Sequence, residues 1–317
     1  MVTIKDVREA AGRIDPHINR TPVVTSRTVN EKLGASLYFK CESFQRAGSF
    51  KIRGAFSAIS LLNEEEKTRG VVAHSSGNHA QAVALATRLL GVKSTVVMPK
   101  GSPDVKVAAT RGYGAEIVFS ENSEGARIAE TERLIEEHGY TLVHPYDNDN
   151  VIAGAGTAAL ELLEEVKGIE VLIAPVGGGG LLSGTSISAK GIDENIEVYA
   201  AEPARADDAF RSIVAGHIVK NERPPDTIAD GLRTSLCERT FEIIRENVSG
   251  IVTVSEMEIV EAMRFLWERM KLVVEPSGAV SAAALLSGKI DVMDRMVGVI
   301  ISGGNVDLER FFSALKV

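Results

Sequence analysis

The chain has little cysteine and no long apolar run. Only Cys41 and Cys237 occur among 317 residues, and they show neither CxxC spacing nor the density of a disulfide framework. No apolar run approaches the ~18 residues that a membrane-spanning helix needs. The first residues mix charges and lack the apolar core of a signal peptide. We therefore expect a soluble protein of a reducing compartment, the cytoplasm.

Basic residues are fewer than acidic residues. The chain has 35 Lys and Arg against 43 Asp and Glu, and the resulting net charge of −8 disfavours nucleic acids and anionic membranes as partners. The apolar fraction of 44% and the charged fraction of 25% are those of an ordinary globular protein. The length suffices for one large domain or two smaller ones.

Short apolar runs alternate with helical patterns along most of the chain. The apolar runs occupy residues 71–73, 94–98, 115–119, 140–143, 171–176, 198–201, 251–254 and 297–301. Alternation of strands and helices predicts right-handed βαβ units and parallel sheets with helices on both faces. The sequence therefore predicts an α/β protein with two doubly wound units. Ligands in such folds bind where the strands end.

Lys51 stands out because Phe50 and Ile52 flank it and no acidic residue adjoins it. Burial would disfavour the ammonium form and lower the pKa of this lysine from its reference value of ~10 toward neutrality. A neutral amine can react with an aldehyde, which is the chemistry that pyridoxal phosphate requires. Most lysines beside apolar residues only lay their stem on the surface. The hypothesis therefore depends on the motifs that follow.

Four consecutive glycines follow the apolar run that ends at Val176. Without Cβ atoms, residues 177–180 can turn tightly and bring backbone amides close to an anion. The predicted helix that follows adds unpaired N–H groups and the positive end of its dipole, and this combination binds phosphate. Position 182 is leucine where a dinucleotide fingerprint needs glycine, and the Gly-Lys-Ser/Thr of a P-loop is absent. A phosphate site is favoured over a merely flexible turn.

Two further polar loops follow predicted strands. Residues 74–81 offer hydroxyl, amide and imidazole groups at the start of a helix, where a substrate carboxylate would find donors. The alternative is a serine N-cap with polar neighbours. Ser302, after the last apolar run, could hydrogen-bond a ring nitrogen, but taken without the other loops an ordinary turn is the preferred interpretation.

Together these segments resemble the fold-type-II pyridoxal-phosphate enzymes, in the branch of the threonine dehydratases and serine racemases. The motifs that carry the resemblance are Gly48 to Gly54, Ser75 to Gln81, Gly177 to Gly180 and Ser302 to Asn305. The resemblance covers essentially the whole chain. It implies two doubly wound open-sheet domains, as in the tryptophan synthase β-subunit, and a homodimer. Residues 1–62 and 148–317 would form the large cofactor-binding domain, and residues 63–147 a small mobile domain that grips the substrate.

The resemblance also implies a role for each motif. Lys51 would form the Schiff base with pyridoxal 5′-phosphate and act as the catalytic base, and Phe50 would pack near the pyridine ring. Asn78 would hydrogen-bond the phenolic oxygen, and Ser302 would face the ring nitrogen. The phosphate would be held by Gly177, Gly178, Gly179, Gly180 and the Leu181 amide. The substrate carboxylate would be bound by Ser75, Ser76, Asn78 and His79.

The implied reaction is β-elimination from L-threonine or L-serine, giving 2-oxobutanoate or pyruvate plus ammonia. A serine opposite the ring nitrogen leaves that nitrogen unprotonated, which makes the ring a weaker electron sink and suits elimination. The alternative is serine racemisation, with Ser76 as a second catalytic acid–base group on the opposite face; Ser76 could instead cap the helix. A third possibility, L-threo-3-hydroxyaspartate ammonia-lyase, would need an extra cationic contact for the side-chain carboxylate.

The segment Glu202 to Asp208 resembles the divalent-metal site of serine racemases and their dehydratase relatives. The carboxylates of Glu202 and Asp208 and the carbonyl of Ala206 would give Mg²⁺ or Ca²⁺ three oxygen ligands. The alternative is an acidic turn in which an aspartate caps the next helix.

Overall fold

The structure is a computed structural model that describes residues 2–75, 77–102, 104–309 and 311. The helices are α1 (Ile4–Ile14), α2 (Arg27–Leu33), α3 (Lys51–Ser60), α4 (Glu64–Arg69), α5 (Asn78–Leu90), α6 (Asp104–Gly112), α7 (Glu124–His138), α8 (Asp149–Glu165), α9 (Gly180–Ile192), α10 (Asp208–Ala215), α11 (Glu238–Asn247), α12 (Glu256–Met270) and α13 (Pro276–Leu286). The strands are β1 (Val23–Val24), β2 (Ser36–Cys41), β3 (Val71–His74), β4 (Ser94–Pro99), β5 (Glu116–Ser120), β6 (Thr141–Leu142), β7 (Val171–Pro175), β8 (Glu197–Pro203), β9 (Gly250–Val254) and β10 (Met296–Ile301). Short 3₁₀ helices cover Glu42–Phe44, Arg46–Gly48 and Asp230–Leu232.

The strands form two sheets. The larger sheet has the order β1-β2-β10-β7-β8-β9, with β1 antiparallel to β2 and the other neighbours parallel. The smaller sheet has the order β5-β4-β3-β6 and is parallel throughout. The predicted α/β fold with strands at the eight apolar runs is confirmed. The smaller sheet lies within the predicted small domain, while the exact domain boundaries stay a prediction. No helix among the described residues combines the length and the apolar composition that crossing a bilayer requires.

Strand β7 shows how helices cover both faces of the large sheet. Successive side chains of a strand point to opposite faces. Val171 and Ile173 pack into a core with residues of α12 and α13, whereas Leu172 and Ala174 pack into a second core with residues of α8 and α9. All of β7 is buried, which explains its continuous apolar sequence.

Glycines let three helices pack backbone against backbone. A Cβ atom on Gly54 of α3 would lie 2.7 Å from the carbonyl oxygen of Val151 in α8. A Cβ atom on Gly156 of α8 would lie 2.7 Å from the carbonyl oxygen of Gly184 in α9. Since α3 begins at Lys51 and α9 begins at the last glycine of the loop, this packing sets the distance between two predicted motifs.

A buried ion network joins α3 to β2 and α8. The Arg53 side chain, 0% exposed, donates to both Glu42 and Glu161, with the closest N–O distance to each at 2.7 Å. Lys40, also fully buried, lies 2.6 Å from Glu161 and donates to the Thr21 carbonyl oxygen. Two cations and two anions balance, and each is hydrogen-bonded, so burial of these charges is tolerated.

We expect Arg53→Met to lower the free energy of unfolding by about 3 to 5 kcal/mol, because it leaves buried carboxylates without their counterion. Urea unfolding followed by circular dichroism measures the change. Arg264→Met is the control, because the Arg264–Glu268 pair is exposed and such pairs contribute about 1 kcal/mol or less. Equal stability of both variants would show that the network does not hold α3 in place.

Candidate active site

Backbone contacts bring the first and last predicted motifs together. Phe50, which precedes α3, donates its N–H to the carbonyl oxygen of Ser302 at 3.0 Å. Ser49 forms an isolated antiparallel bridge with Gly303. Lys51 and Ser302 therefore lie in adjoining segments at the carboxyl end of β10, although 251 positions separate them in the sequence.

Lys51 is half-buried, and its ammonium group donates to the carbonyl oxygen of Pro145 at 3.1 Å. The Nζ atom lies 5.0 Å from the centre of the Phe50 ring. Burial lowers the pKa of Lys51 from 10.5 to about 8, and the negative charge of Glu275 opposes this shift. A useful fraction of the amine is therefore neutral near physiological pH.

The glycine loop lies between two side chains that the sequence analysis did not predict as site residues. Tyr146 occupies the space where Gly178 would carry a Cβ atom, and Thr240 occupies that space at Gly179. The Thr240 hydroxyl donates to the Gly178 carbonyl oxygen at 3.0 Å. Gly179 also has a φ of +88°, which favours glycine. The loop ends at the N-terminus of α9, so its geometry fits the phosphate of a cofactor.

Asn78 is fixed between two residues of the large-sheet part of the chain. Its Nδ2 donates to Glu275 Oε1 at 2.6 Å, and its Oδ1 accepts from Asn305 Nδ2 at 2.9 Å. Glu275 is only 3% exposed. Burial, followed by the charge of Asp230, raises the pKa of Glu275 to about 8. The carboxyl group is therefore largely neutral at physiological pH.

Glu275 was not predicted from the sequence. It stands before Pro276 at the start of α13, where an acidic residue is unremarkable. Its importance comes from its contact with Asn78, which is 197 positions away in the sequence. Only the tertiary structure reveals that contact.

His79 is 2% exposed, and its Nε2 lies 2.8 Å from the Val143 carbonyl oxygen. Because a carbonyl only accepts, Nε2 carries the proton, and Nδ1 is a buried acceptor with no hydrogen-bond partner in the part of the chain that the structure describes. Burial, with a further contribution from Lys51, lowers the pKa of His79 to about 3. The imidazole is neutral, so the donor that His79 can offer a carboxylate is its backbone N–H.

The remaining predicted substrate residues belong to the same loop. The Ser75 hydroxyl accepts the backbone N–H of Gly77 at 3.2 Å, and the Ser75 N–H donates to the Val97 carbonyl oxygen in β4 at 3.1 Å. Ser76 lies outside the described residues. The structure thus brings Lys51, Phe50, Asn78, Ser302 and the glycine loop to one region, and the role of each remains a prediction.

The predicted metal ligands form a separate cluster at the carboxyl end of β8. Glu202 and Asp208 are buried, and burial raises the pKa of both carboxyl groups. The Glu202 oxygens accept the N–H groups of Ala209 and Phe210. Asp208 Oδ1 accepts from Asn221 at 2.7 Å, while its buried Oδ2 has no hydrogen-bond partner among the described residues. Two buried carboxylates with an unsatisfied oxygen fit a hard cation. Across the described residues no three His, Cys, Asp or Glu side chains are grouped to hold a metal, so a main-chain ligand such as Ala206 would be needed.

Comparison with known proteins decides the family. The family model described as pyridoxal-phosphate dependent enzyme matches residues 14–303. The chain belongs to this family. It is 52% identical to serine racemase of Dictyostelium discoideum, with 99% of this chain and 98% of that protein covered. It is 49% identical to L-threo-3-hydroxyaspartate ammonia-lyase of Saccharomyces cerevisiae, with 99% of this chain and 96% of that protein covered.

Solved structures agree with the sequence comparison. The threonine deaminase of T.th. superposes with a TM-score of 0.92 at 46% identity, over 96% of this chain and 99% of that chain. The predicted family, the type-II fold and the assignment as a pyridoxal-phosphate enzyme are confirmed. Lyase and racemase activities both fit the family. When bound, the cofactor supplies an electron-withdrawing group to the substrate's α-carbon.

We expect attachment of pyridoxal phosphate to the cofactor-free protein to accelerate as the pH rises through about 8, because only the neutral Lys51 amine reacts. Stopped-flow absorbance of the lysine-bound cofactor, measured across the neutral and alkaline range, gives the midpoint. Glu275→Gln should move that midpoint slightly lower, since the fraction of Glu275 that is ionised near pH 8 raises the pKa of Lys51.

Two variants serve as controls for this measurement. Lys51→Arg keeps the positive charge and should abolish attachment, whereas Lys100→Arg changes an exposed lysine and should have no effect. A midpoint near 10.5 in the wild type would contradict the desolvation of Lys51.

Proposed function

We propose that this chain is a pyridoxal-phosphate-dependent ammonia-lyase that removes the β-hydroxyl group of L-threonine and L-serine. The products are 2-oxobutanoate or pyruvate, plus ammonia. The observation that carries the proposal is Lys51, a desolvated amine with a pKa of about 8 next to the Ser302 and Asn78 segments. A base that is partly neutral near physiological pH is suited to removing the α-proton.

The surrounding residues would hold the cofactor and the substrate. The glycine loop and the N-terminus of α9 would bind the phosphate, Asn78 the phenolic oxygen and Ser302 the ring nitrogen. The backbone donors of residues 75–79 would hold the substrate carboxylate at the start of α5. Asn78 already contacts Glu275 and Asn305, so these contacts would dock the loop against the large sheet and help to exclude water.

The second candidate is serine racemase. It is supported by the 52% identity to the racemase of Dictyostelium discoideum. In this case Ser76 would be the acid–base group on the face opposite Lys51. A third candidate, L-threo-3-hydroxyaspartate ammonia-lyase, is supported by the 49% identity to the enzyme of Saccharomyces cerevisiae.

We further propose that Glu202, Asp208 and the Ala206 carbonyl bind Mg²⁺ or Ca²⁺. The proposal is supported by a buried oxygen of Asp208 that has no hydrogen-bond partner among the described residues and by the second buried carboxyl group of Glu202. The homodimer and the cytoplasmic location stay predictions.

A single incubation with L-serine tests the reaction type. The cofactor-loaded protein should form pyruvate much faster than D-serine, because α-proton removal is followed by loss of the hydroxyl group. Chromatography of both products from one reaction measures the ratio. D-serine at an equal or higher rate would establish the racemase, and Ser76→Ala should then abolish D-serine formation. Absence of both products, and of 2-oxobutanoate from L-threonine, would refute the proposed function.

Removal of divalent cations tests the metal site. We expect prolonged chelation to lower the thermal unfolding midpoint and added Ca²⁺ or Mg²⁺ to restore it, because the ion neutralises two buried carboxylates. Asp208→Asn should abolish the response. Asp207→Asn is the matched control, since Asp207 is half-buried and pairs with Arg211. An unchanged midpoint on chelation would remove the metal from the proposal.

A further inference from the structure

One ion pair connects the helices of the small sheet to the site. Lys106, on α6, places its Nζ 2.5 Å from the Oδ2 atom of Asp230, in the 3₁₀ helix that follows the large sheet's β8 and α10. The Lys106 side chain is 18% exposed and that of Asp230 is 44% exposed. The cation is therefore shielded from water, whereas its partner is close to half-exposed.

The 3₁₀ helix that carries Asp230 packs against the candidate active site. A Cβ atom on Gly177 would lie 2.9 Å from the Cα of Leu232, so this helix supports the glycine loop. The N–H of Gly231 donates to the Ser277 hydroxyl at 2.9 Å, two residues after Glu275. Asp230 therefore lies between the glycine loop and the start of α13.

The charges of this pair act on Glu275, which contacts the substrate loop. Asp230 raises the pKa of Glu275, while Lys106 and Lys51 lower it. Glu275 in turn accepts the hydrogen bond of Asn78, at the end of the loop expected to bind the substrate carboxylate. Lys106 thus places a second positive charge, besides Lys51, close enough to lower the pKa of Glu275, and its partner Asp230 adjoins the segment that supports the glycine loop.

We propose that Lys106 determines acceptance of substrates with a second carboxylate, by exchanging Asp230 for the side-chain carboxylate of L-threo-3-hydroxyaspartate. The inference rests on the proposed function and specifies its substrate class as β-hydroxy amino acids with or without that carboxylate. A lysine ammonium is a compact charge on a flexible stem and can change partners. Asp230 can return to water at low cost because it is already partly exposed. With L-serine, Lys106 stays paired to Asp230.

The competing explanation is a purely structural ion pair between two parts of the chain. The two explanations predict different changes in activity when either partner of the ion pair is replaced. Lys106→Met and Asp230→Asn both break the pair, so a structural role lowers the activity on all substrates in both variants. Under our proposal Lys106→Met lowers the activity on the dicarboxylic substrate relative to L-serine, whereas Asp230→Asn raises it.

The test is the ratio of kcat/KM for L-threo-3-hydroxyaspartate to kcat/KM for L-serine. Lys106→Met should lower this ratio by about tenfold or more, because the substrate carboxylate loses its counterion. Asp230→Asn should raise the ratio, since it frees the ammonium and removes a competing negative charge. Lys100→Met, which removes an exposed lysine paired with Glu121, should leave the ratio unchanged.

Arg127→Met tests another cation, a half-buried arginine in the first turn of α7. A lower ratio in this variant, with no change in Lys106→Met, would overturn the proposal. Equal losses on both substrates in Lys106→Met and Asp230→Asn would also overturn it, as would a wild type active on L-serine but inactive on hydroxyaspartate.

Binding without turnover separates this inference from the proposed reaction. Calorimetric titration of the cofactor-loaded protein with L-malate should show about tenfold weaker binding in Lys106→Met, while binding of the monocarboxylate L-lactate stays the same. Unchanged affinity for L-malate would refute the role of Lys106. Loss of all turnover in the wild type, with the malate effect intact, would refute the proposed reaction and leave the dicarboxylate site standing.

Discussion

The buried ion network around Arg53 is the constraint on which the position of Lys51 depends. Arg53 lies two residues after Lys51 on α3 and is tied to Glu42 and Glu161 from two other elements. Buried charges are tolerated only when each is paired, so α3 has one register that satisfies all four groups of the network. The glycine contacts between α3, α8 and α9 then transmit this register to the glycine loop. The lysine and the phosphate-type loop are therefore parts of one tightly packed unit.

The contacts from the small sheet are of a different kind. Asn78 reaches Glu275 and Asn305 through hydrogen bonds, and Lys106 reaches Asp230 through an ion pair. Polar contacts exchange with water at small net cost, whereas the packed core cannot rearrange in this way. We expect the cofactor side of the site to stay fixed and the substrate side to adjust, which is what closure over a substrate requires.

Local sequence was sufficient to predict some parts of the fold and the site, but not others. The strands with continuous apolar sequence and the four-glycine loop were predictable, because burial and backbone geometry act within a few residues. Strand β2 was missed because Lys40 interrupts its pattern, and the reason that Lys40 can be buried lies at Glu161. Tyr146, Thr240 and Glu275 were missed for the same physical reason. Each acts through a partner that is distant in sequence, as in the contact of Glu275 with Asn78 across 197 positions.

Burial acts on Lys51 and Glu275 in opposite directions and brings both pKa values to about 8. Near neutral pH Glu275 keeps its proton, so it adds little negative charge to stabilise the Lys51 ammonium. An ionised Glu275 would raise the pKa of Lys51 and make its amine a scarcer nucleophile and base. The same neutral carboxyl avoids repulsion of an anionic cofactor and of the substrate carboxylate. A buried glutamate near the site is therefore compatible with its chemistry because it is held in the protonated form, and this form depends on the exclusion of water that the two sheets achieve together.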